Sequence, residues 1–188
     1  MNGDPGGVFI ATIKESKLDG QGRIAIEIPS KGLSCLARVV APMAGKDRGL
    51  VFLPDKGDQV VVAFVNGAIG EPLIIGSLWS TTAKPPQTDS SGDNNLKVLK
   101  TRSGHSITFS DDAGKEKIEI ADAKQNTIVL DSANKTISIT ATDAVTIRAK
   151  TITIDGDVHV IGRSSLDKAV EIGLGPKTII NKNEITGS

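Results

Sequence analysis

Between residues 118 and 160 the chain repeats one short pattern, two aliphatic residues separated by a single residue. The pairs are Ile118 and Ile120, Ile128 and Leu130, Ile137 and Ile139, Val145 and Ile147, Ile152 and Ile154, and Val158 and Val160. Each pair places two side chains on one face of a strand and the intervening residue on the other. Counted from the first member of each pair, the intervals are 10, 9, 8, 7 and 6 residues. A solenoid coiled from one chain keeps a nearly constant repeat, because every coil stacks on one of similar perimeter. A shortening repeat predicts successive crossings of a narrowing object.

Such strands have an apolar face that needs a cover. The region has no amphipathic helix long enough to supply one, so the cover has to come from other copies of the chain. Three chains wound about one axis would put the paired residues into a shared core and turn Ser138, Thr146 and Thr153 outward. Each strand would then pair with strands of neighbouring chains, leaving few open edges. With about ten side chains buried per copy at roughly 1.5–3 kcal/mol each, the gross gain is tens of kcal/mol before conformational entropy is deducted.

Ahead of this region, "STTAKPPQTDSSGDNN" (80–95) is dense in Ser, Thr, Pro, Asp and Asn, the composition of a linker or exposed loop. Before it lie five short aliphatic runs, "VFIATIKES", "GRIAIEIPS", "LARVVAPM", "QVVVAFVNG" and "PLIIGSLWS", separated by turn residues. Five strands in about 75 residues fit a small Greek-key barrel of the OB type. The expected architecture is all-β: an OB-fold barrel over 1–80, a linker over 81–98, a tapering homotrimeric triple-stranded β-helix over 99–161, and a C-terminal apex segment over 162–188.

Lys and Arg number 22 and so do Asp and Glu, giving a formal net charge of zero. A nucleic-acid-binding barrel needs a basic groove, and the composition supplies none. The barrel aromatics Phe9, Phe52, Phe64 and Trp79 therefore read as core rather than as a stacking platform. Cys35 is the single cysteine, which excludes an intrachain disulfide and a cysteine-based zinc cluster. No basic region followed by an apolar stretch opens the chain, and no segment approaches the ~18 apolar residues of a membrane span. Synthesis in the cytoplasm is expected.

"DGQGRIAIEIP" (19–29), "ARVVAPMAGKDRGLVFLPDKGDQVVVAFVNG" (37–67) and "EPLIIGSLWS" (71–80) resemble the OB-fold domain of phage baseplate assembly protein V and of the VgrG spikes of type VI secretion. "LKTRSGHSITFSDDAGKEKIEI" (99–120) is similar to the start of the triple-stranded β-helix that follows it in that family. The resemblance implies a homotrimeric central spike at the tip of a contractile tail or injection machine. It would be mounted on a hub at the OB-fold end and driven through the target envelope on sheath contraction. Because the chain begins close to the first barrel strand, the hub is expected to be a separate polypeptide. A conical tip protein of the PAAR type is the implied partner of the C-terminal end. Assembly into a phage tail or secreted particle, with only transient, force-driven membrane contact, follows from the same likeness.

Some residues invite a catalytic or metal reading. Asp55 and Asp58 in "FLPDKGDQV", and Asp111 and Asp112 in "SDDAG", are paired carboxylates, but both stretches have turn composition, and hairpin turns are the expected structure. His105 and His159 are the only histidines. Some spikes of the family close their apex with iron held by His-x-His from three chains. Here the corresponding place reads Val158-His159-Val160, with one His where that motif has two. Three symmetry-related imidazoles are a conceivable ligand set, but alternation sends His159 outward if Val158 and Val160 face the axis. No metal site and no cofactor are expected. Residues 162–188 break the taper, with a short helix over Leu166 to Ile172 and a small strand as the expected elements.

The expected function is structural rather than enzymatic. A β-solenoid polysaccharide-degrading enzyme would need a groove with clustered acids and aromatic sugar platforms, and residues 96–188 hold one aromatic, Phe109. A lysozyme-bearing spike would need an inserted domain with two placed carboxylates, for which the linker has no room. An OB-fold nucleic-acid-binding protein remains the other alternative. Limited proteolysis should cut first between Ser80 and Asn95 and leave a resistant C-terminal core; prompt digestion of residues 101–160 would contradict this organisation.

Overall fold

The structure is a computed structural model that describes residues 7–68, 70–88 and 91–161. It divides into two units, one ending at Ala144 and the other beginning at Val145. The expected helix and strand of the apex segment lie outside the described residues.

The first unit opens with a closed barrel. Its strands are β1 (Val8–Glu15), β2 (Arg23–Ile28) and β3 (Leu33–Val39), then, beyond a short hairpin of β4 (Ala44–Gly45) and β5 (Arg48–Gly49), β6 (Gln59–Phe64) and β7 (Pro72–Leu78). The order around the barrel is β1-β2-β3-β7-β6, closing back onto β1. Every pairing is antiparallel except β3 with β7, which run parallel with Arg38 opposite Leu73 and Val39 opposite Ile74. The five expected runs form these five barrel strands, in the connectivity of an OB-type barrel.

Period-two alternation drives the closure. In β2, Ile24, Ile26 and Ile28 are fully buried while Arg23, Ala25 and Glu27 stay half-exposed. Ala11 and Ile13 of β1, Ala37 of β3, Val60 and Val62 of β6 and Ile74 of β7 complete the core. Irregularities in β1 between Ile13 and Glu15, and in the β6–β7 pairing at Val61 and Val62, supply the local bending that a small barrel requires. Phe9 and Phe64 pack edge to face on this core, with ring centroids 5.5 Å apart. The other two aromatics depart from expectation: Phe52 is 57% exposed and Trp79 69% exposed, so neither is core.

After the connecting segment comes an antiparallel meander of five strands, β8 (Leu96–Lys100), β9 (Ser106–Ser110), β10 (Lys117–Ala121), β11 (Thr127–Asp131) and β12 (Thr136–Thr140), each paired with its sequence neighbour. β8 starts at Leu96, so the expected boundary between residues 98 and 99 falls inside a strand. Where the sequence reading expects each strand to pair with neighbouring chains, the strands over 96–140 pair with one another within the chain. All five strands are five residues long, so the shortening repeat arises in the connections. After 101–105, of five residues, the connections 111–116, 122–126 and 132–135 have six, five and four.

Intrachain pairing has a local cause, a loop built the same way several times. Asp122 accepts from the backbone N–H groups of Lys124 (2.7 Å) and Asn126 (2.9 Å). Asp19 does the same to Gln21 (2.8 Å) and Arg23 (2.9 Å), and Thr101 Oγ1 accepts from the N–H of His105 (3.1 Å). In each loop the residue three after the acceptor has positive φ: Gly22 (73°), Gly104 (96°) and Gln125 (69°). The left-handed conformation costs little at the glycines and more at Gln125. Such loops bring the flanking strands into register without help from another chain.

The donors around Asp122, chiefly the N–H and side-chain amide of Asn126, hold its carboxyl below its ordinary value of 3.8. A carboxylate favoured in the folded chain contributes stability that is complete above its unfolded pKa and is lost as pH falls through the lower folded value. Asp122→Ala should therefore lower the thermal midpoint at neutral pH, and the gap from wild type should narrow as pH falls below the ordinary value of 3.8. An unchanged gap in a pH series of melting curves would contradict the assignment.

Candidate functional site: an uncovered apolar sheet face

The meander's register assembles two continuous apolar rows. Leu99 lies opposite Ile107, Ile107 opposite Ile120, Ile120 opposite Ile128, and Ile128 opposite Ile139. In the second row Lys97 faces Phe109, followed by Ile118, Leu130 and Ile137. The opposite face carries Val98, Thr108, Glu119, Val129 and Ser138 in the same order. Lys97, the one charge in the rows, is drawn aside by Asp111, whose Oδ2 lies 3.1 Å from Nζ, and by the carbonyl of Asn94.

The rows are open to solvent, most of all at the last strand, β12. Leu99 is 40% exposed, Ile139 57% and Ile137 73%. Connected aliphatic exposure of this kind marks an interface. The polar face is treated differently: Pro86 and Gln87 of the connecting segment line a shallow cavity there with Leu96, Val98, Ser110 and Lys117. The chain's own linker thus partly covers the polar face, and the apolar face has no cover among the described residues.

Of the expected core pairs, the sheet brings Ile118, Ile120, Ile128, Leu130, Ile137 and Ile139 together on this face. Val145, Ile147, Ile152, Ile154, Val158 and Val160 belong to the second unit, whose described residues form no strand and are all exposed. Sequence reasoning missed Leu99, Ile107 and Phe109. The signal for two of them was present, since Ile107-x-Phe109 precedes Ile118 by 11 residues and begins the same shortening series.

The paired carboxylates serve turns. Asp58 Oδ2 accepts from the N–H of Asp55 (2.8 Å), and Asp55 meets the Arg102 guanidinium at 3.0 Å. Both partners of that bridge are largely exposed, so it contributes at most about 1 kcal/mol to holding barrel and meander together. Asp112 accepts from the side-chain amide of Asn95 at 2.8 Å. His159 is exposed along with Val158 and Val160. Among the described residues no three His, Cys, Asp or Glu side chains are grouped to hold a metal. Cys35 is half-buried, and desolvation pushes its thiol pKa up, which lowers its reactivity.

A second exposed apolar surface lies on the barrel, and the sequence reading did not pick it out. Leu50, Val51, Phe52 and Leu53 follow the β4–β5 hairpin in an unbroken run, and with Val39, Met43 and Leu18 they line an open groove of about 520 Å³. Gly49 makes the hairpin possible, because a Cβ there would stand 2.8 Å from the carbonyl oxygen of Met43.

Residues 9–79 match the profile of the type VI secretion system and phage-baseplate injector OB domain. Residues 97–159, which include the whole apolar face, match the phage baseplate V C-terminal trimerisation domain. The chain belongs to the phage-baseplate V and VgrG spike family. It is 29% identical over 180 residues to the actin cross-linking toxin VgrG1 of Vibrio cholerae, an alignment covering 82% of this chain and 16% of that protein. To the type VI secretion system spike protein VgrG3 of Vibrio cholerae it is 30% identical over 130 residues, covering 60% and 13% of the two chains. To the spike protein VgrG2a of Pseudomonas aeruginosa it is 28% identical over 92 residues, covering 43% and 11%. The chain spans about a sixth or less of the length of these curated relatives. In this family setting, the open face is the surface of a trimerisation domain.

Ile137 and Ile139 test that surface cleanly, because a single chain has little to lose at positions so exposed. Replacing both with Asp should remove at least about 3 kcal/mol of apolar burial per copy and place charge in the interface. Native mass should fall from trimer to monomer, whereas Thr146→Lys should leave it unchanged. A double variant that stayed trimeric and equally heat-resistant would exclude this face from the interface.

Proposed function

We propose that the protein is the central spike of a contractile tail or injection machine, a mechanical part without catalytic activity of its own. The observation that carries this reading is the bare apolar face within the trimerisation domain, which only a multi-copy assembly satisfies. Three copies would bring their meanders together around one axis. Residues 145–161, which have the same alternation and no strand partners in their own chain, would continue as an intertwined, narrowing triple-stranded β-helix. Val145, Ile147, Ile152, Ile154, Val158 and Val160 would fill its axis.

The barrel end is the mounting end in this reading. The exposed run from Leu50 to Leu53 and its groove are apolar and lie outside the trimerisation domain, which suits them to a separate hub protein. The far end, from residue 162 on, would meet a PAAR-type tip protein. The particle component needs no affinity for lipid: contraction supplies the work, so the needle's outer positions remain Ser, Thr, Asp and Lys. The carboxylates occupied in turns offer no acid–base pair, in keeping with a passive piercing role.

Two measurements on the purified protein test the reading. Light scattering should give three times the mass of the 19.6 kDa chain. The same sample should release neither dye from liposomes nor soluble fragments from peptidoglycan. A monomer would remove the spike assignment, and leakage or fragment release would replace passive piercing with an intrinsic activity.

A further inference from the structure

The meander stops at β12 although the sequence offers it a sixth strand. Residues 141–144 form a connection of four residues, the same length as 132–135, and Val145-Thr146-Ile147 repeats the pattern of Ile137-Ser138-Ile139. The outer edge of β12 has no strand partner among the described residues, and all five of its residues are exposed. By length and pattern, a further hairpin is permitted; the structure does not form it.

The difference lies in the turn chemistry. The β11–β12 turn is closed by Asp131, which accepts from the N–H and the side-chain amide of Asn134 at 2.9 and 3.0 Å, with Lys135 at φ 57°. At the equivalent positions after β12 stand Thr140, Asp143 and Ala144, which lack, at the matching places, the carboxylate and the side-chain amide donor of that pair. The connection is instead held from elsewhere. Asn126 Oδ1 accepts from the N–H of Thr142 (2.9 Å) and from its hydroxyl (3.3 Å). Asn126 is itself fixed, since its amide donates to Asp122 Oδ2 at 2.7 Å. The chain leaving β12 is tied to the base of β11, on the inner side of β12, rather than turned outward along the open edge.

We propose that Asn126 is a positioning residue that switches the chain from intrachain to interchain pairing, and that the open edge of β12 takes residues 145–148 of a second copy. Within the trimer reading on which this rests, the exchange continues the two apolar rows across the copy boundary. Val145 and Ile147 extend the rows begun by Leu99 and Phe109, and Thr146 stands beside Ser138 on the polar face. It also closes an exposed strand edge that would otherwise be a template for aggregation.

Facing positions on adjacent strands are close enough for a disulfide, which makes the exchange readable. Ser138→Cys with Thr146→Cys in a Cys35→Ala background, oxidised as the full chain, should run as covalent trimers on a non-reducing denaturing gel. Monomers on that gel, with or without loss of free thiol, would overturn the exchange. Adding Asn126→Ala should convert a large part of the interchain product, at least severalfold, into internally cross-linked monomer. An interchain fraction that stays unchanged would overturn the role of Asn126. Native mass taken before oxidation separates the two levels: a trimer without interchain cross-links removes this inference alone, and a monomer removes the spike reading beneath it.

Discussion

Everything beyond the barrel depends on one unsatisfied surface. A five-stranded antiparallel sheet with nine apolar side chains in two rows on one face is not a complete fold, because one layer cannot exclude water from itself. The barrel avoids this difficulty by curling its sheet until Ile24, Ile26, Ile28, Val60 and Val62 cover one another. The meander has no such closure, and its linker lies against the polar side. The apolar side has no cover among the described residues, and it lies within the region that matches the trimerisation domain of the spike family.

The turns decide how far a single chain can go on its own. Asp19, Thr101, Asp122 and Asp131 each place a side-chain acceptor where the backbone reverses, and each reversal yields a locally paired strand. The β9–β10 turn closes by a backbone bond instead, from the N–H of Lys115 to the carbonyl of Asp112. After Thr140 the chain is held by Asn126, and strand pairing within the described chain ends there.

The same division explains why no active site emerges from the carboxylates. Asp55, Asp58, Asp112, Asp122 and Asp131 all accept hydrogen bonds or pair with a cation in turns and connections. A carboxylate whose oxygens are engaged within its own loop is not positioned to meet a substrate proton. Among the described residues, the exposed apolar surfaces are the features most in need of a partner.

Alternation alone revealed the all-β class, the five barrel strands and the pairs from Ile118 to Ile139, because side-chain direction in a strand follows from the period of two and needs no tertiary information. The same reasoning identified the chain's need for a multi-copy cover. It misjudged Phe52 and Trp79, since periodicity does not reveal whether a loop folds inward. It read the shortening repeat as crossings of a narrowing object without locating the change, which from β9 onward lies in the turns and not in the strands. Tertiary structure alone decided that the meander pairs within its own chain, that Leu99 joins the apolar rows, and that Asn126 reaches Thr142. Each of these depends on which residues register brings face to face, and register is set by the three-dimensional closure of turns rather than by the order of residues along the chain.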